Sequence, residues 1–296
     1  MIYLDFVPAA GGCTVILLTH FDEVPLVNEV PYSITTASNY TVDTTQTVFG
    51  NASFRRSAGF PSRDYQTIDY TGEPGGGILS NNGELTFEFR FKRDGGTGAL
   101  SAGNQWQNDF ILQFDTGGYI NLTAWNYVSG GIYHRGFFIA IDDGIGGYDE
   151  VYIQDHDFLP DSNFHAIAYT FDGAGAYAVY VDGSRLANGT LTTVIPANTH
   201  FTTMYFGNLV GTERMEEARV TADKIHYTGT SYTLASTEFL TTECGEYGGS
   251  VATTVLNFDD VTAAPNVELT SPYHGFTVTD VWAVDGVTGG STPNCI

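Results

Sequence analysis

The chain has 296 residues, 34 of them acidic and 11 basic, for a formal charge of −23. That balance argues against a nucleic-acid partner, whose affinity rests on Lys and Arg neutralising phosphates, and against anionic lipid for the same reason. Hydrophobic residues at 42% and aromatics at 14%, mostly Phe and Tyr, exclude a disordered chain. At this length roughly three quarters of the unfolded surface can be buried, so the core needs no metal or disulfide.

Residues 1–14 form a short strand-like lead, Ile2 to Val7, closed by Pro8 and Gly11-Gly12. Met1 to Asp5 lacks the basic n-region of a Sec-type signal. Val15-Ile16-Leu17-Leu18-Thr19-His20-Phe21-Asp22 reads as a strand, and its apolar part is far short of the roughly 20 residues of a membrane span. Leu85 to Lys92 alternates strictly, with Leu85, Phe87, Phe89 and Phe91 on one face and Thr86, Glu88, Arg90 and Lys92 on the other. A period of two predicts a half-buried antiparallel strand. Phe110 to Phe114 and Phe137 to Ile141 read as inner strands, and Gly117-Gly118, Gly130-Gly131 and Gly146-Gly147 supply turns. Asp182-Gly183 between Val181 and Ser184 is a hairpin signal. No helical periodicity of useful length interrupts the series, and the expected class is all-β.

After Phe239 the texture changes. Residues 241–250 form a polar, glycine-containing hinge, followed by β-like stretches at 254–260 and 273–286 and a turn-forming end at 289–296. Too few residues remain for a second sandwich. These strands are expected to pack on the main sandwich or on a neighbouring subunit.

Several segments carry a family likeness. They are Val15 to Asp22, Val48-Phe49-Gly50-Asn51-Ala52-Ser53-Phe54, Phe164-His165-Ala166-Ile167-Ala168-Tyr169, Val179-Tyr180-Val181-Asp182-Gly183, and Arg214-Met215-Glu216-Glu217-Ala218-Arg219-Val220-Thr221 followed by Ile225-His226-Tyr227-Thr228. Together they resemble the laminin-G-like, concanavalin A-like domains. The resemblance implies a two-sheet antiparallel jelly-roll sandwich over 15–240, with the lead at 1–14 and a small β extension at 241–296. It also implies that Glu216-Glu217 belongs to a structural signature in which Arg219 pairs with a neighbouring acid.

Proteins of this combination resemble tailed-phage virion components. The implied function is a non-enzymatic structural protein on the particle surface, as a head decoration or a tail or fibre part, with glycan adhesion as a further role. Capsid or tail proteins would be its partners, docked through the terminal strands, and self-association, a trimer for instance, is expected. The alternative is a carbohydrate-binding module of a bacterial surface or secreted protein, which would be extracellular. A glycoside hydrolase stands third.

Glycoside hydrolysis needs two carboxylates facing one sugar at roughly 5–9 Å. Asp149-Glu150-Val151-Tyr152-Ile153-Gln154-Asp155 lacks the alternating acid pattern, with Tyr152 standing two places after Glu150. Glu216 and Glu217 are adjacent, so on a regular strand they face opposite sides. With no Gly-x-Ser-x-Gly, His-Glu-x-x-His or Cys-x-x-Cys motif, no catalytic residue is assigned. His165 and His226 fall inside strand-like segments and read as core or strand-edge residues.

Domains of the resembled kind often hold Ca²⁺ at a rim, a cation that takes hard oxygen ligands. Asp142 and Asp143, and Asp155 and Asp157, are the candidates, with Asp259-Asp260 a further acidic turn; the alternative is ordinary solvated turn acids. For sugar stacking the candidates are Trp106, Trp125 and Tyr127, since an aromatic ring offers area and, in Trp and Tyr, a polar tip. Packing of Trp125 and Tyr127 within the sandwich is the alternative. Of three cysteines, Cys13 and Cys244 flank the sandwich and could pair, or all three, with Cys295, stay free thiols.

Overall fold

The computed structural model describes residues 13–22, 25–37, 40–56, 65–93, 105–106, 110–129, 132–154, 163–207, 213–239, 267–268 and 282–283. Among them there is no helix, and every strand pairing is antiparallel. The chain divides into two compact units, residues 1–250 and 251–296. In the second, β18 (Val267–Glu268) pairs with β19 (Trp282–Ala283), which lies within the stretch read as strand from the sequence. The stretch at 254–260 lies outside the described residues.

The first unit is a sandwich of two sheets, with strands numbered along the chain. Sheet A contains β1 (Thr14–Thr19), β3 (Tyr40–Asp43), β4 (Ser53–Arg56), β7 (Glu84–Arg93), β13 (Phe164–Asp172), β14 (Ala176–Val181), β15 (Ser184–Thr190) and β17 (Glu213–Ala222). Its order is β15-β14-β13-β7-β17-β4-β3, with β1 also on β17. Sheet B contains β2 (Ile34–Thr35), β5 (Gln66–Asp69), β6 (Ile78–Ser80), β8 (Gln105–Trp106), β9 (Phe110–Phe114), β10 (Tyr119–Ser129), β11 (Ile132–Asp142), β12 (Tyr148–Gln154) and β16 (Thr199–Phe206). Its order is β12-β11-β10-β9-β16-β5-β2, with β6 on β16 and β8 on β10.

The alternation of apolar residues decides which faces meet. Phe87, Phe89 and Phe91 of β7 and Phe110, Leu112 and Phe114 of β9 are buried in one core. Rings bridge the two layers: Phe89 to Phe110 at 5.1 Å and Phe137 to Tyr169 at 5.9 Å. Such tilted and edge-on contacts add to the area buried by each aromatic. The expected all-β jelly-roll sandwich is the fold observed.

One expectation about β7 needs correction. The strand is central and is covered on both faces: on its polar side Glu88 is 2% and Arg90 7% exposed. The alternation reported correctly which residues share a face. It did not report that the segment 223–239 lies over that face, accepting hydrogen bonds from Thr86 at the Lys224 carbonyl (2.9 Å) and from Arg90 at the Ala235 carbonyl (3.0 Å).

The hairpin predicted at Asp182-Gly183 joins β14 to β15, with positive φ at both residues (49° and 77°). A two-residue turn with both central φ positive matches the right-handed twist of its strands. Cys13 is buried and disulfide-bonded, which overturns the reading of three free thiols. Cys244 and Cys295 lie outside the described residues.

Candidate functional site

The acid pair Glu216-Glu217 lies in a closed place. A bulge between Glu216 and Ala218, with Glu217 at φ 52°, takes Glu217 out of the regular register. The two carboxylates therefore do not split between the faces as a regular strand would require; both serve the segments that cover sheet A. Glu216 accepts the backbone N–H groups of Val48 (2.7 Å) and Phe49 (2.7 Å). Glu217 accepts the Phe239 N–H at 2.9 Å and bonds His20 Nδ1 at 2.7 Å. Arg219 donates to Glu88 through Nε at 2.8 Å and Nη2 at 2.6 Å, and the Tyr227 hydroxyl donates to the same carboxylate. Arg219 thus pairs with an acid on the neighbouring strand, not beside it in the chain. Arg214 is similarly held by Asp43, at 2.9 Å.

These environments displace the ionisations. Burial pushes the Glu216 carboxyl up to about 7, against the pull of the Phe49 and Val48 N–H groups. Burial opposes charge on His20, but the bond to Glu217 and the surrounding acids outweigh it and raise the pKa to about 9. The Thr45 hydroxyl and N–H, with Arg214, hold Asp43 down to about 2. Burial, with Arg219 and Lys224 nearby, lowers His226 to about 3. His165 is buried and bonds Asp182 at 2.6 Å, while His226 is half-buried against Thr221. His200 pairs with Asp115 at 3.0 Å. All of this chemistry holds strands and turns together.

The outer face of sheet B is different. On β12, Asp149, Val151 and Ile153 alternate with Tyr148, Glu150 and Tyr152. Val151 and Ile153 pack into the core, so the other three turn outward. Tyr148 is 50% and Tyr152 43% exposed, and Glu150 between them is exposed as well. The Tyr152 hydroxyl donates to Glu150 Oε2 at 2.9 Å, and the Tyr148 hydroxyl donates to Oε1. Burial first, then the Glu150 charge, raises the pKa of both tyrosines, so both remain donors.

The neighbouring strands extend this surface. Register places Tyr152 opposite Phe138 and Phe138 opposite Thr123, and Glu150 opposite Ala140 and Ala140 opposite Asn121. Phe138 and Ala140 form a small apolar cluster with Tyr119, separate from the main core. The Phe138 and Tyr152 rings lie 5.0 Å apart. Farther along the row are Ile111 and Tyr205, the latter edge-on to Tyr65 at 5.7 Å. Phe138 and Ala140 are themselves buried, so what β12 presents to solvent here is Tyr148, Glu150 and Tyr152, with Asp142 opposite Tyr148.

Turn acids hold the hairpin that carries this face. Asp143 Oδ1 accepts the N–H groups of Ile145 (2.8 Å) and Gly147 (2.9 Å), and Asp142 Oδ1 accepts that of Gly144 (2.8 Å). Gly144, at φ 75°, lies against Thr116 and Gly118, where a Cβ would strike backbone, so the β9–β10 and β11–β12 turns are locked together. Asp149, half-exposed, accepts the N–H of Thr193 at 2.6 Å and that of Thr192 at 2.5 Å.

The candidates named from sequence fare unevenly. Asp142 and Asp143 are adjacent but serve as turn acceptors. Asp155, Asp157 and Asp259-Asp260 lie outside the described residues. Among the described residues no three His, Cys, Asp or Glu side chains come together to hold a metal ion. Backbone register sets Trp125 of β10 opposite Trp106 of β8, and Tyr127 opposite His134; the side chains of these residues lie outside what is described. Tyr148, Glu150 and Tyr152 were missed. The spacing that marks them, two aromatics and an acid at every second position, was present in the segment inspected for a hydrolase motif.

No family model matches the chain, and no curated protein matches it in sequence. Solved structures do match it in fold. The botulinum neurotoxin serotype G binding domain aligns with 79% of this chain and 50% of its own, at TM-score 0.50 and 11% identity. The binding domain of Paraclostridial Mosquitocidal Protein 1 aligns with 75% of this chain and 50% of its own, at TM-score 0.49 and 8% identity. The ligand-binding domain of botulinum neurotoxin serotype D, in complex with N-acetylneuraminic acid, aligns with 75% of this chain and 48% of its own, at 0.49 and 11%. At such identities the likeness is one of fold, and the chain spans about half the length of these structures.

Proposed function

We propose that this chain is a non-enzymatic recognition module that binds carbohydrate on the outer face of sheet B. The observation that carries the reading is the Tyr148–Glu150–Tyr152 row, solvent-exposed on β12, with Tyr152 resting against the buried Phe138 ring. Aromatic rings present apolar area to the C–H face of a sugar, and carboxylate and hydroxyl oxygens bond its hydroxyls. Placement on a sheet sets the rings in advance, which lowers the ordering cost of binding. The buried carboxylates Glu88, Glu216 and Glu217 of sheet A are engaged in structural bonds, which supports binding over turnover.

The setting is the outside of a particle or cell, the tailed-phage virion implied by the resemblance to laminin-G-like virion components being the first choice. The Cys13 disulfide supports exposure to an oxidising environment once the protein is assembled. A glycan array tests the ligand class, with hits expected for the wild type and lost on Tyr148→Ala or Tyr152→Ala at unchanged melting temperature. Hits indifferent to both substitutions would place the ligand elsewhere. Fractionation with intact phage particles tests the setting, and a protein found only free of particles sinks it.

A further inference from the structure

We infer that the Tyr148–Glu150–Tyr152 face selects sugars bearing a free amino group over neutral ones and rejects carboxylated sugars. This rests on the carbohydrate-binding reading above and adds the charge class of its ligand. The reason is the inventory of donors and acceptors. Each Glu150 oxygen already accepts one tyrosine hydroxyl, and a carboxylate has about four lone-pair positions, so acceptor capacity remains on both oxygens. Both tyrosine hydroxyls donate to Glu150. Among the described side chains, the neutral amides on this face belong to Asn121, whose Oδ1 accepts the Thr123 hydroxyl at 3.2 Å, and Gln113.

Cations are scarce on this sheet. The described strands of sheet B contain no lysine and one arginine, Arg135, at a register position of opposite parity to the Glu150–Ala140–Asn121 row. His200, the described histidine side chain on these strands, is paired with Asp115. A carboxylated sugar would meet a carboxylate with no lysine or arginine among the described side chains of this sheet to receive it, within a chain of net charge −23. Like charges placed together oppose a partner, as natural specificity often requires. An ammonium gains on both counts: it donates to Glu150, and the flanking tyrosine rings attract a cation.

The test compares immobilised glucosamine, N-acetylglucosamine and sialyllactose oligosaccharides in mildly acidic, low-salt buffer, where the free amine is protonated. Glucosamine should bind about three- to fivefold more tightly than its acetylated counterpart, the size of an exposed ion pair, and sialyllactose should give no signal. Glu150→Gln should bring the ratio of glucosamine to N-acetylglucosamine affinity to about one, whatever it does to the affinity for each sugar. It changes the net charge by only one, so a preference that survives it reflects the overall acidity of the chain and overturns the inference. Sialyllactose binding as well as the neutral sugar overturns it too, while leaving the glycan reading in place. Failure of all three sugars to bind, or binding insensitive to Tyr152→Ala, overturns both.

Discussion

The two sheets are built by the same alternation and end with opposite outer surfaces. The strands of sheet A hold eight of the 11 Lys and Arg residues, and those of sheet B hold Arg135 alone. Two of those on sheet A are matched to buried acids, Arg219 to Glu88 and Arg214 to Asp43, and buried Arg90 donates to the Ala235 carbonyl of the covering segment. On sheet B the outward row of β12 stays exposed, with aromatic rings around one acid. A buried charge must be paired, because removing it from water otherwise costs several kcal/mol. Closing a face over polar residues therefore demands partners for each of them. Leaving a row such as Tyr148–Glu150–Tyr152 open demands none and keeps its side chains within reach of a ligand.

The largest effect expected from breaking this contrast is on sheet A. Arg219→Met leaves Glu88 buried with its cation gone and should lower unfolding free energy by about 3–5 kcal/mol, read by urea denaturation. Combining it with Glu88→Met should recover much of that loss, since the orphaned charge is then gone too. Recovery of nothing would mean that Arg219 acts through packing on Phe239, 4.8 Å away.

Next is Glu217→Ala, which frees His20 and the Phe239 N–H and should cost about 1–3 kcal/mol through unsatisfied buried groups. Near-neutral stability would show that the cover is held by apolar contacts alone.

The third expectation concerns pH. His20 has a raised folded pKa, so its contribution is complete below the unfolded value of 6.5 and is lost as pH rises through about 9. Glu216, raised from 4.5 to about 7, favours the protonated form, so its contribution also falls as pH rises from 4.5 to 7. Asp43, lowered from 3.8 to about 2, contributes above 3.8 and loses that as pH falls through 2. Melting temperature should therefore peak between about pH 4 and 5 and decline in two stages toward alkali. Glu216→Gln should flatten the first stage and His20→Gln the second. A curve unchanged by either would assign the decline to general acidic repulsion.

The smallest stability effect belongs to sheet B. Tyr152→Ala on the exposed row should change stability by no more than about 0.5 kcal/mol while abolishing glycan capture. If it destabilises like Arg219→Met, the two faces do not differ as described.

Much of this fold could be read from single segments. The faultless period of two at Leu85 to Phe91 placed four side chains in the core, and Asp182-Gly183 marked its hairpin. Period and turn chemistry are local properties, and the antiparallel sandwich follows from them. Tyr148, Glu150 and Tyr152 also share a face by the same rule, so their grouping was legible, although their exposure was not. Local spacing could not show that Glu217 would enter a bulge, because a positive φ at a glutamate is stabilised by its contacts to His20 and Phe239, nearly 200 and 22 positions away.

The amino-acid sequence by itself determined the strands, their inward residues and the acidic balance, because these depend on side chains two positions apart and on composition. Tertiary structure alone decided which outward residues are covered, like Glu88 and Arg90, and which stay open, like Tyr148 and Tyr152. That choice rests on where residues 223–239 come to lie and on which acids meet which cations, contacts between segments more than 100 residues apart such as Glu88 with Arg219. Burial is a property of neighbours in space, and the order of residues along the chain does not name them.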